Sequence, residues 1–299
     1  MMIFGDNDFQ FSVDTNWGDL PEGFEFHQVA GVAVDSDDQV YLFNRSSHQV
    51  MVFARNGDFI RTWDKKFAGP HGMLIGDDGN LFFVDRDDHV IYKYNKKQEL
   101  LLTLGVVGTP SATGYSSDQE GFLVKNAGGP FNLPTGIAVN AEGEMFISDG
   151  YGNCRVHKYS SSGLLLTSWG EPGTKNPLQF NLPHGITIDS KNRVLVCDRE
   201  NHRIQIFDQN GEFETMWSGF RQPTDITEGP GGEFYISELQ HRLTIVDAKG
   251  KILTQWGGES SRDVGMFVAP HSVAVDSFGD IYVGEVLEGK RIQKFIRKR

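Results

Sequence analysis

The chain contains the same short unit six times. Each copy begins with a strand such as GVAVD (31–35), continues through a polar turn into a second strand such as VYLFN (40–44), and then into a third such as RIQIF (203–207). Regularly spaced short strands between Gly, Asp and Asn turns are typical of all-β proteins, and four strands per unit are typical of propeller blades. The repeats therefore predict an all-β, six-bladed β-propeller. The six first strands are GVAVD (31–35), GMLIG (72–76), GIAVN (136–140), GITID (185–189), DITEG (225–229) and SVAVD (272–276).

Tryptophan marks the fourth strand of most units. The five tryptophans, and one leucine in the second unit, fall in the predicted fourth strands: Trp17, Trp63, Leu104, Trp169, Trp217 and Trp256. The segment DTNWG (14–18) precedes the first unit, whereas the last unit ends without a fourth strand. We therefore expect the N-terminal segment to complete the last blade, which removes open sheet edges. The prediction is a single propeller domain over residues 1–299, with a Gly/Ser-rich surface insertion at about 106–129.

Composition narrows the classes of partner. A formal net charge of −12 argues against nucleic acid, because phosphate binding needs clustered Lys and Arg. No stretch is long and apolar enough to predict a membrane span, and the N-terminus does not resemble a signal peptide. The two cysteines, Cys154 and Cys197, lie in strands of different units and are expected to be reduced thiols. We therefore expect a cytoplasmic protein that contacts neither nucleic acid nor membrane.

Histidine alternates at one position of the repeat. The residues just before the six first strands are, in order, Ala30, His71, Thr135, His184, Thr224 and His271. Alternate blades of a six-fold ring lie about 120° apart, so the three imidazoles should converge on the axis of the ring. Three imidazoles with open remaining positions are the protein part of a catalytic zinc site, and iron or another divalent ion also accepts them. The spacing therefore predicts a metal site, although each histidine could instead simply fill a turn.

Arginine and tyrosine follow several of the second strands. Arg45, Arg86 and Arg199 lie in loops that could reach the face of the histidines. A guanidinium group suits a substrate carboxylate, but salt bridges with the neighbouring acids are an equal alternative. Tyr151, in the loop after the second strand of the third unit, is the candidate base or proton carrier.

The motifs resemble a known family. The strand repeats resemble NHL repeats. The segments PHG (70–72), SDGYGNCRV (148–156), FNLPHGI (180–186), CDRENHRIQIF (197–207) and APHSV (269–273) together resemble peptidyl-α-hydroxyglycine α-amidating lyase over essentially the whole chain. The resemblance implies a six-bladed propeller with a catalytic zinc held by three histidines. It also implies cleavage of a carbinolamide N–C bond to give an amide and glyoxylate.

Carried over by motif, the resemblance implies zinc ligands at His71, His184 and His271, and catalytic roles for Tyr151, Arg199 and Arg45. Arg86 is expected to bind substrate, as is Ala269, which stands where the family has a methionine. The family also holds a structural calcium. The backbone carbonyls of Val32 and Met73 match two of its ligands, but Ser272 stands in place of its acidic ligand, so calcium has weaker support than zinc.

The function predicted from these observations is a metal-dependent C–N lyase. Its substrate would be an N-acyl, peptidyl or ureido α-hydroxy acid. Two alternatives stay open at this stage. A non-catalytic propeller that serves as a protein-interaction scaffold explains the fold but not the alternating histidines. A propeller hydrolase such as a lactonase would normally use carboxylate or Asn ligands for calcium.

Overall fold

A computed structural model describes residues 2–118 and 123–298 of the chain. These residues form six four-stranded antiparallel sheets, and the single helical element among them is one 3-10 turn at Arg199–Asn201. The prediction of an all-β, six-bladed propeller is therefore confirmed. The chain divides into two compact units, Met1–Lys66 with Thr224–Arg299 (the terminal unit) and Phe67–Pro223 (the middle unit). Each unit contains three blades, and the expectation of one domain stays a prediction.

The terminal unit contains the first, fifth and sixth blades. Its strands are β1 (Phe11–Asp14), β2 (Val29–Val34), β3 (Val40–Asn44), β4 (Val50–Phe53), β5 (Phe59–Trp63), β20 (Pro223–Glu228), β21 (Phe234–Glu238), β22 (Arg242–Val246), β23 (Ile252–Gly257), β24 (Pro270–Val275), β25 (Ile281–Glu285) and β26 (Arg291–Arg297).

The middle unit contains the second, third and fourth blades and one short parallel pair, β14 with β15. Its strands are β6 (Pro70–Ile75), β7 (Leu81–Asp85), β8 (Val90–Tyr94), β9 (Leu100–Leu104), β10 (Pro134–Val139), β11 (Met145–Asp149), β12 (Arg155–Tyr159), β13 (Leu165–Trp169), β14 (Glu171–Pro172), β15 (Gln179–Phe180), β16 (Pro183–Ile188), β17 (Val194–Asp198), β18 (Arg203–Phe207) and β19 (Phe213–Ser218).

The N-terminal strand completes the last blade, as predicted, but with different residues. Strand β1 is FSVD rather than DTNWG, and it pairs antiparallel with β26, from Phe11 opposite Arg297 to Asp14 opposite Lys294. The strand ends there because the Asp14 carboxylate accepts the N–H of Asn16 at 3.1 Å, which turns the backbone. Trp17 follows this turn and packs against Phe53 of the first blade, with the ring centres 5.2 Å apart.

The second strand of each blade is buried along its whole length. Because neighbouring material covers both of its faces, it reads as a continuous apolar run such as LFFVD rather than an alternating one. The final acid of these strands has a structural task. The Asp85 carboxylate accepts the backbone N–H groups of Ala68 and Gly69 at 2.9 and 2.7 Å. These bonds fix the segment that leads into the neighbouring strand β6, which precedes β7 in the chain and has His71 as its second residue.

A bulge interrupts the strand ladder where the histidines lie. Pairing between first and second strands shifts register between Pro70 and Met73, between Pro183 and Ile186, and between Pro270 and Ser272. Residues in a bulge leave the regular alternation of faces, so a bulge can re-aim a side chain. Each histidine follows its proline directly and therefore lies in such a bulge.

The predicted insertion is only partly described. Residues 106–118 and 123–129 contain no strand, and residues 119–122 lie outside the described part of the chain. Tyr115 and Val124 from this segment pack against the cluster around Trp169. Cys154 and Cys197 are both buried. Across the described residues, no helix is long and apolar enough to cross a membrane.

Candidate metal centre and active site

In the middle unit, a backbone carbonyl orients the ring of His71. The residue is fully buried, and its Nδ1 donates to the carbonyl oxygen of Thr135 at 2.7 Å. A carbonyl can only accept, so the proton of the neutral ring is on Nδ1 and Nε2 carries the lone pair. Metal-binding histidines are commonly oriented by such a hydrogen bond on the nitrogen that does not bind the metal.

The threonine that alternates with histidine has a supporting position. The Thr135 hydroxyl lies 2.8 Å from the carbonyl oxygen of Pro183, the residue before His184. Ser148 donates to the carbonyl oxygen of His184 itself at 2.5 Å. Thr135 therefore contacts one histidine through its carbonyl group and the backbone beside the other through its hydroxyl.

The terminal unit repeats this arrangement around its own histidine. Nδ1 of His271 donates to the carbonyl oxygen of Ala30 at 2.8 Å, and the Thr224 hydroxyl lies 3.1 Å from the carbonyl oxygen of Pro270. The ring of His271 is therefore fixed in the same tautomer as that of His71.

His71 and His184 are both buried in the middle unit, with ring centres 4.8 Å apart, and His271 is buried in the terminal unit. The hydrogen bonds on Nδ1 of His71 and His271 leave the lone pair of each ring on Nε2. Imidazole nitrogens of this kind fit the ligand preferences of zinc, iron and other divalent ions, so these histidines could bind a metal.

Tyr151 adds a hydroxyl group to two of these histidines. Its oxygen lies 3.3 Å from Nε2 of His71 and 3.4 Å from Nε2 of His184. Nη1 of Arg199 donates to the same oxygen at 3.2 Å. The residue before the tyrosine must be small, because a Cβ on Gly150 would lie 1.9 Å from the carbonyl oxygen of Pro183. The structure therefore brings together four of the residues that the sequence singled out.

The predicted insertion helps to hold the Tyr151 loop. Tyr151 N–H donates to the Leu133 carbonyl at 3.3 Å, and Gly152 N–H donates to the Asn132 carbonyl at 2.9 Å. Thr113, from the insertion, is buried and donates its hydroxyl to the carbonyl oxygen of Gly152 at 2.5 Å. The sequence analysis missed Thr113, and no local pattern marks it, because its partner lies 39 residues away.

Arg86 and Arg199 lie near Tyr151 and are also paired with acids. Their guanidinium carbons are 5.5 and 5.3 Å from the centre of the Tyr151 ring, within the range of cation–π contact. Arg86 donates to Asp87 at 2.7 Å, and Arg199 donates to Glu200 at 2.9 Å. Burial lowers the pKa of Arg86, but the hydrogen bond and charge of Asp87 outweigh burial and raise it. The salt bridges that the sequence left open are therefore present for both arginines, and binding of a substrate carboxylate stays a prediction.

Comparison with known proteins assigns the chain to a family. The NHL repeat family model matches residues 131–159 and 180–207. NHL repeat-containing protein 3 of Homo sapiens is 33% identical over 310 residues, which cover 96% of this chain and 84% of that protein. The chain belongs to the NHL-repeat family.

Two further proteins are similar to this NHL-repeat protein. Peptidyl-alpha-hydroxyglycine alpha-amidating lyase 1 of Drosophila melanogaster is 30% identical over 263 residues, which cover 79% of this chain and 46% of that protein. Virginiamycin B lyase of Staphylococcus aureus has a TM-score of 0.63 at 14% identity, with 96% of this chain and 99% of that chain covered. The second likeness is one of fold alone.

Two further predicted site residues of the NHL-repeat protein, Arg45 and Ala269, belong to the terminal unit. Nη1 of Arg45 donates to the Gln28 side chain at 2.9 Å. Ala269, two residues before His271, is buried in a small apolar cluster with Ala30 and Val286. Neither the role of Arg45 nor that of Ala269 follows from these contacts, so both stay predictions.

The calcium site matched to the backbone carbonyls of Val32 and Met73 stays a prediction. Val32 lies in β2 and donates its N–H to the Ser272 hydroxyl at 2.8 Å, and Met73 lies in β6 of the middle unit. Ser272 in turn donates to the carboxylate of Asp225 at 3.0 Å. Burial raises the pKa of Asp225 to about 6. The sequence analysis missed Asp225, although Asp225 and Ser272 each begin one of the six first-strand segments, DITEG and SVAVD, where the other four copies of the repeat have glycine.

Proposed function

We propose that this NHL-repeat protein is a metal-dependent lyase that cleaves the carbinolamide C–N bond of an N-acyl, peptidyl or ureido α-hydroxy acid. The products would be an amide, or urea, and a glyoxylate-like aldehyde. The observation that carries the proposal is the position of the Tyr151 hydroxyl. It lies within 3.4 Å of Nε2 of both His71 and His184, and it accepts a hydrogen bond from Arg199.

The histidines supply the proposed metal ligands. We propose that His71, His184 and His271 hold zinc, with iron or another divalent ion as the alternative. The chemistry of the donors fits, because backbone carbonyls occupy Nδ1 of His71 and His271 and leave Nε2 as the ligand atom. When bound, such an ion acts as a Lewis acid and favours loss of a proton from an alcohol.

Tyr151 is the proposed proton carrier. In its deprotonated form, its oxygen would take the proton of the substrate α-hydroxyl group. The electron pair of that O–H bond then forms the C=O bond, the C–N bond breaks, and the departing amide nitrogen takes the proton back from Tyr151. No proton is gained or lost overall. The Arg199 guanidinium, 3.2 Å away, would stabilise negative charge on the tyrosine oxygen between the two transfers.

The remaining predicted residues would bind the substrate. We propose that Arg199 and Arg45 bind the α-carboxylate, as the family resemblance implies, that Arg86 also contacts substrate, and that Ala269 forms part of an apolar wall. Peptide-like or small α-hydroxy acids are the proposed ligands.

The relatives support the reaction class more than a particular substrate. The Drosophila melanogaster relative is named as an amidating lyase, whereas the name of the human relative describes only its repeats. We therefore propose the C–N lyase reaction without taking the acyl part of the substrate from these relatives.

Metal content is the first test. The protein would be purified without chelator, and bound metals would be measured by elemental analysis in wild type, His184→Ala and the control His48→Ala. His48 is not one of the three proposed ligands and stacks on Phe24. We expect about one zinc or iron per chain in wild type and His48→Ala, and loss of metal in a folded His184→Ala. Wild-type protein that binds neither ion after reconstitution would contradict the proposal and favour an interaction scaffold.

Activity is the second test. Metal-loaded protein would be incubated with N-benzoyl-α-hydroxyglycine, and released glyoxylate and benzamide would be quantified against the spontaneous rate. The proposal expects equal amounts of both products, and no release by His184→Ala. Hydrolysis of a lactone by the same preparation, without glyoxylate release, would favour the hydrolase alternative.

A further inference from the structure

The middle unit carries the same five-residue motif twice. Residues 85–89 read DRDDH and residues 198–202 read DRENH. In both copies the final histidine has a left-handed backbone, with φ of 57°, and its Nδ1 accepts a backbone N–H, at 3.0 Å for His89 and 3.1 Å for His202. The same local structure therefore follows strands β7 and β17, and it gives Arg86 and Arg199 equivalent positions in two blades.

Both arginines of this motif lie beside one ring. The distances of 5.5 and 5.3 Å are measured to the same point, the centre of the Tyr151 ring. Both guanidinium groups therefore border the same tyrosine ring. Each is also anchored by the acid that follows it in sequence, Asp87 or Glu200, which limits its freedom to swing away.

The two arginines differ in which of their guanidinium nitrogens already donate hydrogen bonds. Arg199 uses Nη1 on the Tyr151 hydroxyl and Nε on Glu200. Arg86 uses Nε and Nη2 on Asp87, and nothing in the described residues accepts a hydrogen bond from its Nη1. The Arg86 side chain is also the more exposed, at 28% against 12% for Arg199. Arg86 therefore keeps a donor and an accessible surface that neither the proposed proton transfer nor the proposed α-carboxylate contacts of Arg199 and Arg45 use.

We propose that Arg86 is a specificity-determining residue that binds a second anionic group of the substrate. The favoured ligands are then N-acyl α-hydroxy acids whose acyl part carries its own carboxylate. The α-hydroxy acid part of this statement rests on the proposed function. The second anion rests on Arg86, because a guanidinium group binds a carboxylate through directed, charge-assisted hydrogen bonds. A neutral acyl group would leave Nη1 of Arg86 without such a partner.

Binding of two unreactive ligands tests this proposal. N-benzoylglycine and N-(4-carboxybenzoyl)glycine lack the α-hydroxyl group and differ by one carboxylate. Their affinities for the metal-loaded protein would be measured by titration calorimetry at low salt. We expect the dicarboxylate to bind wild type about tenfold more tightly than the monocarboxylate, as one charged hydrogen-bonded contact allows. In Arg86→Gln we expect this ratio to fall to about one.

Two further variants make the outcome independent of one substitution. Asp87→Asn removes the acid that competes for Arg86, so we expect it to raise the affinity for the dicarboxylate more than for the monocarboxylate. If Arg86→Gln does not fold, Asp87→Asn decides the matter. Arg61→Gln is the matched control, since Arg61 lies in the terminal unit and donates to Tyr41. It should leave the ratio as in wild type.

The same pair of ligands in α-hydroxylated form separates this proposal from the lyase proposal. If neither releases glyoxylate but the binding ratio depends on Arg86, the anion site stands and the lyase reaction does not. If both release glyoxylate with equal kcat/KM and wild type shows no binding preference, the lyase reaction stands and the role of Arg86 is overturned. A preference that persists unchanged in Arg86→Gln also overturns it.

Discussion

The Thr135 hydroxyl lies 2.8 Å from the carbonyl oxygen of Pro183, while the Thr135 carbonyl accepts Nδ1–H of His71. Thr135 therefore contacts both the ring of His71 and the backbone carbonyl that precedes His184. At Thr135 and Thr224 a hydroxyl lies beside the backbone carbonyl that precedes a histidine, whereas Ala30 at the equivalent position has no hydroxyl.

Thr135→Val tests this support. Valine keeps the shape and the backbone carbonyl but leaves the buried Pro183 carbonyl without its hydroxyl partner, so His184 should be held less well. Changes to residues that orient metal ligands typically lower metal affinity by about 10–100-fold. Zinc affinity would be measured by competition with a chelator of known affinity. Thr62→Val is the control, since its hydroxyl donates to the Val50 carbonyl within another blade. Equal affinities in both variants would contradict the supporting role.

Tyr151→Phe separates proton transfer from metal binding. Phenylalanine keeps the ring near Arg86 and Arg199 but removes the hydroxyl that contacts His71 and His184. Loss of a general acid–base group typically lowers the rate by about 10²–10⁴-fold, so we expect kcat for glyoxylate release to fall within that range. Metal content should stay as in wild type by elemental analysis. Tyr92→Phe, in strand β8, is the control. A Tyr151→Phe enzyme with normal kcat would exclude tyrosine as the proton carrier.

Zinc removal should lower thermal stability. An ion that binds only the folded state stabilises it by about 2.7 kcal/mol at a free concentration one hundred times its Kd. We therefore expect chelator-treated protein to melt several degrees below its zinc-loaded form, with Tm rising again as buffered zinc is added. His271→Ala should lose this response, and the control His48→Ala should retain it. A Tm independent of zinc in wild type would count against a structured metal site.

The six-bladed fold was accessible from sequence because its signals are local. Each blade corresponds to a run of apolar strands and polar turns in the sequence. His71, His184 and His271 occupy one position of that repeat. The contacts that complete the site are of another kind. Thr113 contacts Gly152 across 39 residues, through packing that no repeat position encodes. Asp225 and Ser272 contact each other from the first residues of two first-strand segments, where the other four copies have glycine. The DRDDH and DRENH motifs are an intermediate case. Their duplication is visible in the sequence, but the position of both arginines beside Tyr151 is not.

Asp225 should make the stability of the protein depend on pH. Its pKa is raised by burial to about 6, whereas an unfolded aspartate has a pKa of about 3.9. Between these values the unfolded state has already lost its proton while the folded state still holds it. Stability from this group is therefore complete below about pH 4 and falls as the pH rises through 6. Asp225→Asn cannot ionise and should escape this loss.

We expect the effect of Asp225→Asn on the free energy of unfolding to be about 2 kcal/mol more favourable at pH 7 than at pH 4. A shift of two pKa units corresponds to about 3 kcal/mol, and we reduce this because the side chain keeps some contact with water. Urea unfolding of metal-free protein at both pH values would measure the difference, which also cancels any hydrogen bond to Ser272 that asparagine makes poorly. Asp58→Asn, in an exposed turn, should show no such gain. An effect of Asp225→Asn that is equal at pH 4 and pH 7 would mean that the carboxyl group does not titrate in this range.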